Sequence, residues 1–252
     1  MNIKSYAVVT GASKGIGKEI AIQLAQKGYQ LILVARSSAE LEKLSGEIPG
    51  GALYLAIDLS GPGAAQKITD FCKEFPVSVL VNNAGYGIWG NFEENSIESQ
   101  LNMLKVNINA VLELTYYLLP QLKKQPSHIL TVASTAAYQA VPTLAAYAAS
   151  KAFVLSFSRA LRIELKNSVD VSCLCPGPTD TGFAHRAGME SLAALAEKFN
   201  MQPAEVAAIG LAGMFNKKAE IIPGFLNKLS AIGARHLNKT LIERITLGLY
   251  KK

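Results

Sequence analysis

The sequence predicts an α/β fold in which a doubly wound parallel sheet lies between two layers of helices, giving three layers (α/β/α) in all. Strand-like and helix-like patterns alternate through about residue 175, as is typical of a parallel sheet covered on both faces. Of the 252 residues, 50% are apolar, which is enough for one sizeable core. No linker, repeat or shift in composition divides the chain, so we expect residues 1–252 to form a single domain with a helical C-terminal extension.

The first predicted strand, residues 6–10, runs into a glycine-rich turn. The run Gly11-Ala12-Ser13-Lys14-Gly15-Ile16-Gly17 follows the strand directly and precedes an amphipathic helical stretch. Glycines permit positive φ and let the backbone approach a phosphate, while the start of a helix presents unpaired N–H groups to an anion. The spacing is Gly-x-x-x-Gly-x-Gly, and its context predicts the phosphate-binding turn of a Rossmann-like fold. A tight turn without a ligand is the alternative.

The second predicted strand, residues 31–35, ends at Arg36 and Ser37. In dinucleotide-binding folds an acidic residue near this point binds the ribose 2′-hydroxyl of NAD, whereas an arginine accommodates the 2′-phosphate of NADP. This chain has no acid there, and Lys14 adds a second positive charge. The sequence therefore favours NADP(H), with an ordinary solvated arginine at a strand end as the alternative.

Three further strands are predicted at residues 77–81, 128–133 and 169–175. Cys173 and Cys175 are two residues apart on the last of them, so both face the same side, and we expect buried structural thiols. The three histidines are scattered without the spacing of metal ligands, and we expect no metal site.

A tyrosine and a lysine form the candidate catalytic pair. Tyr147 and Lys151 are four residues apart on a predicted helix and therefore share a face. A neighbouring ammonium favours the phenolate and lowers the pKa of a tyrosine, which makes it a usable proton donor or acceptor near neutral pH. Ser134, thirteen residues before the tyrosine, is a candidate for holding a substrate oxygen.

Together these motifs give the chain, over about residues 4–182, a close resemblance to the short-chain dehydrogenase/reductase family. In chain order the resemblance is carried by Thr10 to Gly17, Asp58-Leu59, Asn82-Asn83-Ala84-Gly85, Asn107, Ser134, Tyr147, Lys151, and Pro176-Gly177 with Thr179 and Thr181. Each motif is weak alone, but their order and spacing together are specific.

The resemblance implies a binding site for NADP(H) and a hydride-transfer reaction. The implied cofactor-binding residues are Gly11, Ser13, Lys14, Gly15, Ile16, Gly17, Arg36, Asp58, Leu59, Asn83, Ala84, Gly85, Tyr147, Lys151, Pro176, Gly177, Thr179 and Thr181. The same resemblance implies that the protein interconverts a carbonyl compound and a secondary alcohol. A protein that binds NADP(H) as a sensor or scaffold, without turnover, is the alternative.

The resemblance also assigns a role to each of four catalytic residues. Tyr147 would be the general acid or base, and Lys151 would lower its pKa and bind the nicotinamide ribose. Ser134 would orient and polarise the carbonyl. Asn107 would hold a water that relays a proton to Lys151.

Two regions bear on the substrate and on oligomerisation. Residues 183–215 are expected to form a substrate lid, and their apolar content favours a hydrophobic carbonyl or alcohol; the lid side chains are Phe183, Met189, Leu192, Leu195, Phe199 and Met201. The predicted helices at residues 107–123 and 144–166 are apolar on more than one face, which predicts a homodimer through them. A tetramer is left open.

The C-terminal extension, residues 217–252, departs from the family pattern. It has eight Lys/Arg against two acids and so contains the whole net charge of +6. Two amphipathic helices are predicted, one through Phe225, Leu229 and Ile232, the other through Leu241, Ile245 and Leu249. Three interpretations remain open: packing on the domain or a partner subunit, contact with an anionic membrane surface, and a flap over the substrate.

The overall charge and hydropathy limit the partners and the location. No nucleic-acid motif accompanies the basic residues, so we expect no nucleic-acid partner. No secretory signal is apparent, and no apolar run approaches the roughly 18 residues of a membrane span. We therefore expect a cytoplasmic protein, with peripheral membrane contact as an open alternative.

Overall fold

The computed structural model describes residues 5–189 and 200–250. Within them a parallel sheet of seven strands has the order β3-β2-β1-β4-β5-β6-β7. The strands are β1 (Tyr6–Thr10), β2 (Gln30–Ala35), β3 (Leu53–Ala56), β4 (Val77–Asn82), β5 (His128–Val132), β6 (Asp170–Leu174) and β7 (Glu220–Ile221). The helices are α1 (Gly15–Gln26), α2 (Ser38–Glu47), α3 (Ala64–Cys72), α4 (Ile97–Leu104), α5 (Ala110–Leu122), α6 (Ala145–Glu164), α7 (Phe183–Ala187), α8 (Pro203–Phe215), α9 (Phe225–His236) and α10 (Lys239–Tyr250).

The helices cover the two faces of the sheet in separate clusters. Helices α1, α2 and α8 pack on one face through side chains such as Leu24, Leu41 and Leu211. Helices α3, α5 and α6 pack on the other face, where Ile68 and Leu118 are fully buried. These two clusters confirm the predicted three-layer, doubly wound, Rossmann-like fold and its single domain.

The order of the strands reverses between β1 and β4. Strands β2 and β3 lie on one side of β1, and strands β4 to β7 lie on the other. In open parallel sheets the crevice for a ligand opens at such a reversal, beyond the carboxyl ends of the strands. Here those ends are Thr10 and Asn82, so the glycine turn and the Asn-Asn-Ala-Gly run meet at the crevice.

The five strands predicted with bounds agree with the structure to within one residue at every end. Strand β6 is one residue shorter at each end than the predicted 169–175, and Cys173 and Cys175 are both fully buried with their sulfurs 3.8 Å apart, as expected for one side of a strand. Within residues 5–189 and 200–250, every helix is too short or too polar to cross a lipid bilayer.

Candidate active site

Three glycines shape the turn between β1 and α1. Gly11 and Gly15 have φ angles of +64° and +58°, which residues with a side chain rarely adopt. Gly17 has no such φ, but a side chain there would collide with the carbonyl oxygen of Gly11 and with the side chain of Asn83. Lys14 occupies the N-cap position of α1, and its side chain has no acceptor atom, so no side-chain cap takes up the first N–H groups of the helix and they can bind an anion.

Thr10 ties the end of β1 to the residues that follow β4. Its Oγ1 accepts hydrogen bonds from the backbone N–H groups of Asn83 and Ala84, at 3.0 and 3.1 Å. The Asn83 side chain donates to the carbonyl oxygen of Thr10 at 2.9 Å. The structure therefore brings two of the predicted cofactor motifs together, with Ser13 in the turn and Ile16 packed against the core beneath it.

Arg36 and Asp58 lie at the same edge of the sheet, just beyond β2 and β3. Asp58 accepts hydrogen bonds from the backbone N–H and the hydroxyl of Ser60, at 2.9 and 2.8 Å. The backbone hydrogen bond above all, with the Ser60 hydroxyl and the charges of Arg36 and Arg186, lowers the pKa of Asp58. Asp58 is thus an ionised acceptor, and Leu59 beside it packs against the apolar core.

Lys151 is buried one helical turn from Tyr147 on α6, as the spacing predicted. Its Nζ donates to the carbonyl oxygen of Val132 at 2.9 Å and lies 5.9 Å from the centre of the Tyr147 ring. Burial lowers the pKa of Lys151 to about 8, because an ammonium without water is disfavoured. Tyr147 itself is only 8% exposed.

Asn107 lies in a π-helical turn, Lys105–Asn109, that joins α4 to α5. The predicted helix at residues 107–123 therefore begins irregularly, and such turns are frequent at functional sites. The buried Asn107 amide donates to the carbonyl oxygen of Tyr86 at 2.9 Å and to Ser150 at 3.0 Å, while its oxygen accepts from the Tyr86 N–H at 3.1 Å. A Cβ on Gly85 would lie 3.1 Å from both the Asn107 oxygen and Lys151 Nζ, so these two groups converge on Gly85.

Ser134 caps a short 3-10 helix, Thr135–Tyr138, that packs against α6. Its Oγ accepts from the backbone N–H of Ala136 at 3.1 Å. The neighbouring Thr135 N–H donates to the carbonyl oxygen of Pro176 at 2.9 Å, which fixes the Pro176-Gly177 segment beside the end of β5.

The residues after Gly177 lead back to the glycine turn. Thr179 Oγ1 donates to the carbonyl oxygen of Gly177 at 3.0 Å, and Thr181 Oγ1 donates to the carbonyl oxygen of Thr179 at 3.4 Å. The Thr181 side chain comes so close to Gly15 that a Cβ on that glycine would lie 2.9 Å from it. The predicted segment at 176–181 therefore borders the same crevice as the predicted phosphate-binding turn.

Helix α7 lies beside Tyr147. The Phe183 ring lies 5.3 Å from the Tyr147 ring, and the Arg186 guanidinium lies 4.2 Å above the Tyr86 ring. Phe183 and the buried Met189 form an apolar wall beside Tyr147. Met201 accepts a backbone hydrogen bond from Asp180 at 3.1 Å, whereas Leu192, Leu195 and Phe199 of the predicted lid lie outside the described residues.

Sequence reasoning missed two contacts at this site. Arg186 was not a candidate, although it follows Phe183 by three residues and so shares its helix face. Asn227, in α9, presses against Gly177, and a side chain on that glycine would collide with it. The Arg186 contact had a local signal in the spacing, while the Asn227 contact depends only on the tertiary fold.

The comparisons with known proteins agree with this geometry. The sequence profile of the short chain dehydrogenase family matches residues 5–192. A very-long-chain 3-oxoacyl-CoA reductase of Candida glabrata is 38% identical over an alignment of 190 positions, and the match covers 66% of this chain and 54% of the relative. The chain spans about half the length of the curated relatives it matches.

Solved structures match over most of the chain. A short-chain dehydrogenase from Sphingobium yanoikuyae, solved with NADPH, has a TM-score of 0.83 at 29% identity, covering 92% of this chain and 93% of that chain. An alcohol dehydrogenase from the archaeon Thermococcus sibiricus, solved with 5-hydroxy-NADP, has a TM-score of 0.76 at 29% identity, covering 87% and 95%.

The fold and the crevice are those of an oxidoreductase that has a doubly wound sheet and binds a dinucleotide. Its glycine turn lies at the reversal of strand order, where this class binds its cofactor. The chain belongs to the short-chain dehydrogenase family.

Proposed function

We propose that this protein is an NADPH-dependent reductase that interconverts a carbonyl and a secondary alcohol on a hydrophobic substrate. The observation that carries the proposal is the burial of Lys151 one turn from Tyr147, at the crevice that the glycine turn also borders. A buried amine beside a phenol is costly to maintain, and it suits a site that moves protons.

The proton steps belong to the side chains of this chain. When bound, the nicotinamide supplies or accepts the hydride. Tyr147 donates the proton from its phenol oxygen as negative charge develops on the substrate oxygen, and the ammonium of Lys151 stabilises the phenolate that remains. Ser134 accepts a backbone hydrogen bond through Oγ, so its own proton can point to the substrate oxygen.

Asn107 and Lys151 suit a proton relay at Gly85. Both amide protons of Asn107 are committed to Tyr86 and Ser150, which leaves a lone pair on its oxygen as the available group. Because Gly85 lacks a side chain, the space beside that oxygen and Lys151 Nζ stays open. A water there would accept a proton from bulk solvent and pass it to Lys151.

The choice of NADP(H) rests on charge at the adenosine end of the crevice. The glycine turn leads into the N-terminus of α1, where a diphosphate can bind, and its tight path depends on Gly17, because a side chain there would collide with Gly11 and Asn83. Arg36 lies where an acid would bind the 2′-hydroxyl of NAD. Arg186 is a second guanidinium near it, close enough that, besides burial, the charge of Arg36 lowers the pKa of Arg186. Both cations favour the extra phosphate of NADP(H).

A long-chain acyl compound with a 3-oxo group is the substrate class we favour. The relative from Candida glabrata is named a very-long-chain 3-oxoacyl-CoA reductase. The side chains around Tyr147 are apolar and suit a hydrocarbon chain, with Phe183 and Met189 among them.

The test is NADPH oxidation by the purified protein with 3-oxoacyl compounds and simple ketones of increasing chain length. We expect turnover to rise with chain length and to fall by about 100- to 10,000-fold in Tyr147→Phe, because the proton donor is lost while its ring stays. The matched control is Tyr54→Phe, a half-buried tyrosine beside β2. Tight NADPH binding without turnover of any carbonyl would favour the sensor or scaffold alternative.

A further inference from the structure

Helix α9 presents its large apolar side chains to solvent. The residues of α9 that face the body of the protein are small, since Ala231 is 2% exposed and Ala234 is 8% exposed. On the outside, Phe225 is 78% exposed and Leu229 is 57% exposed. The predicted apolar face therefore exists, but in α9 it does not pack on the domain, which leaves a partner subunit, a membrane surface and a flap over the substrate as interpretations.

Helix α10 extends the same apolar character. We define the C-terminal apolar surface as the exposed large apolar side chains of α9, α10 and the two-residue connection between them: Phe225, Leu226, Leu229, Ile232, Leu237, Leu241, Ile245 and Leu247. Thr246 is the buried side chain of α10 in the part of the helix whose side chains are described. Large exposed apolar patches often mark sites that meet a protein or a membrane.

The outward orientation of α9 is held by ionic contacts. Glu220, on β7, binds Arg235 of α9 and also Arg159 of α6, the latter at 2.9 Å. The Tyr138 hydroxyl donates to Glu220 at 2.8 Å, and the Arg235 guanidinium lies 4.6 Å above the Tyr138 ring. This network ties the C-terminal end of α9 to β7 and α6, while the apolar face of the helix stays exposed.

Charge decides between a second copy of the chain and a lipid surface. Residues 225–252 have six Lys/Arg against one acid, a net charge of +5. Lys228, Lys239 and Arg244 are exposed among the apolar side chains. A symmetric pair would place two such surfaces face to face and repel, whereas anionic lipid complements both the charge and the apolar side chains.

The surface adjoins the candidate active site. Asn227, at the start of α9, lies against Gly177 and donates to the carbonyl oxygen of Pro223 at 2.9 Å. A Cβ on Gly224 would lie 3.1 Å from the sulfur of Met201, which belongs to the predicted lid. A bilayer that met α9 would therefore lie beside the lid, where an acyl chain could leave the lipid phase.

We propose that α9 and α10 dock on an anionic lipid membrane, with the C-terminal apolar surface inserted at the interface and Lys228, Lys239 and Arg244 at the headgroups. The access of a lipid substrate from the bilayer rests on the proposed function, but the docking itself does not.

The test is flotation of the full chain with vesicles of phosphatidylcholine alone or with added phosphatidylserine, without substrate. We expect binding to the anionic vesicles and little to the neutral ones. The triple variant Lys228→Gln, Lys239→Gln, Arg244→Gln should bind roughly 100-fold more weakly, because each lost charge should weaken binding about fivefold. The matched control Lys43→Gln, Lys67→Gln, Lys124→Gln removes three exposed charges elsewhere and should keep its binding.

A second variant tests the apolar contribution and guards against misfolding. Leu229→Ser with Ile245→Ser should also weaken binding while the melting temperature and NADPH affinity stay unchanged, because both side chains are exposed. Absence of binding to anionic vesicles, or equal loss in the control triple variant, would overturn the docking. So would self-association that this variant abolishes, which would identify a second copy as the occupant.

NADPH oxidation with the series of 3-oxoacyl compounds and ketones, measured without vesicles, separates this proposal from the proposed function. Vesicle binding without turnover of any carbonyl in the series refutes the function and leaves the docking intact. Turnover without vesicle binding refutes the docking and leaves the function intact.

Discussion

Lys151 links the pH dependence of stability to the candidate active site. Its pKa falls from 10.5 to about 8 on folding, so between these values the unfolded chain holds a proton that the native protein has released. Stability therefore rises with pH across this window. Below pH 8 both states are protonated and the full cost, about 3 kcal/mol, is present.

Lys151→Met should remove this dependence. We expect the stability of the variant relative to the parent to fall by about 3 kcal/mol between pH 7.5 and 10.5, as the parent loses its buried charge. Urea unfolding at several pH values measures the difference, with Lys43→Met as an exposed control. Parallel pH profiles for parent and Lys151→Met would contradict a depressed lysine pKa.

Arg36 should select the cofactor. Arg36→Asp removes a charge-assisted contact to the 2′-phosphate, worth about 1.5–3 kcal/mol, and supplies an acceptor for a 2′-hydroxyl. We expect NADPH affinity to fall about 10- to 150-fold while NADH affinity is kept or improved. Fluorescence titration with both cofactors measures the ratio, and an unchanged ratio would refute the assignment of Arg36.

At the scale of elements, the turn between β1 and α1 should tolerate no side chain at its third glycine. Gly17→Ala places a methyl group against the carbonyl oxygen of Gly11 and the Asn83 side chain, so β1 and the Asn83 segment must separate. We expect cofactor binding to be lost and the protein to be destabilised by about 1–3 kcal/mol. Gly46→Ala, in α2, meets no atom within 4 Å and should stabilise by about 0.5–1 kcal/mol. Thermal melts with and without NADPH compare the two variants.

Local spacing explains which parts of the elements could be predicted. The glycine turn and the Tyr147–Lys151 pair are local patterns, because residues within a few positions of each other in the sequence determine their geometry. The partners of Asn107 could not be predicted, since Tyr86 and Ser150 reach it only through the fold. Likewise the pattern of α9 indicated an apolar face but not the side on which the body lies.

At the scale of the whole molecule, two exposed apolar regions compete as contacts between copies of the chain. One is the C-terminal apolar surface, where charge opposes a symmetric pair. The other is on α5 and α6, where Tyr116 is 72% exposed and Ile163 is 71% exposed. These helices are the ones that the sequence predicted as a dimer interface, and the basic excess of residues 217–252 lies outside them.

We therefore expect a homodimer through α5 and α6. Light scattering at micromolar protein should give twice the chain mass of 26.9 kDa. Tyr116→Glu with Ile163→Glu should raise the dissociation constant about 30-fold or more, the loss expected when about 2 kcal/mol of interface contact is removed.

Leu229→Glu with Ile245→Glu is the matched control, because it adds the same charges to the C-terminal apolar surface. The control should remain dimeric while it loses affinity for anionic vesicles. The first double variant tests whether α5 and α6 bind a partner subunit, and the second tests whether the C-terminal apolar surface binds lipid. Each assignment can therefore fail independently of the other. A control that became monomeric would assign the C-terminal apolar surface to the dimer, and the bilayer would then have no place to dock.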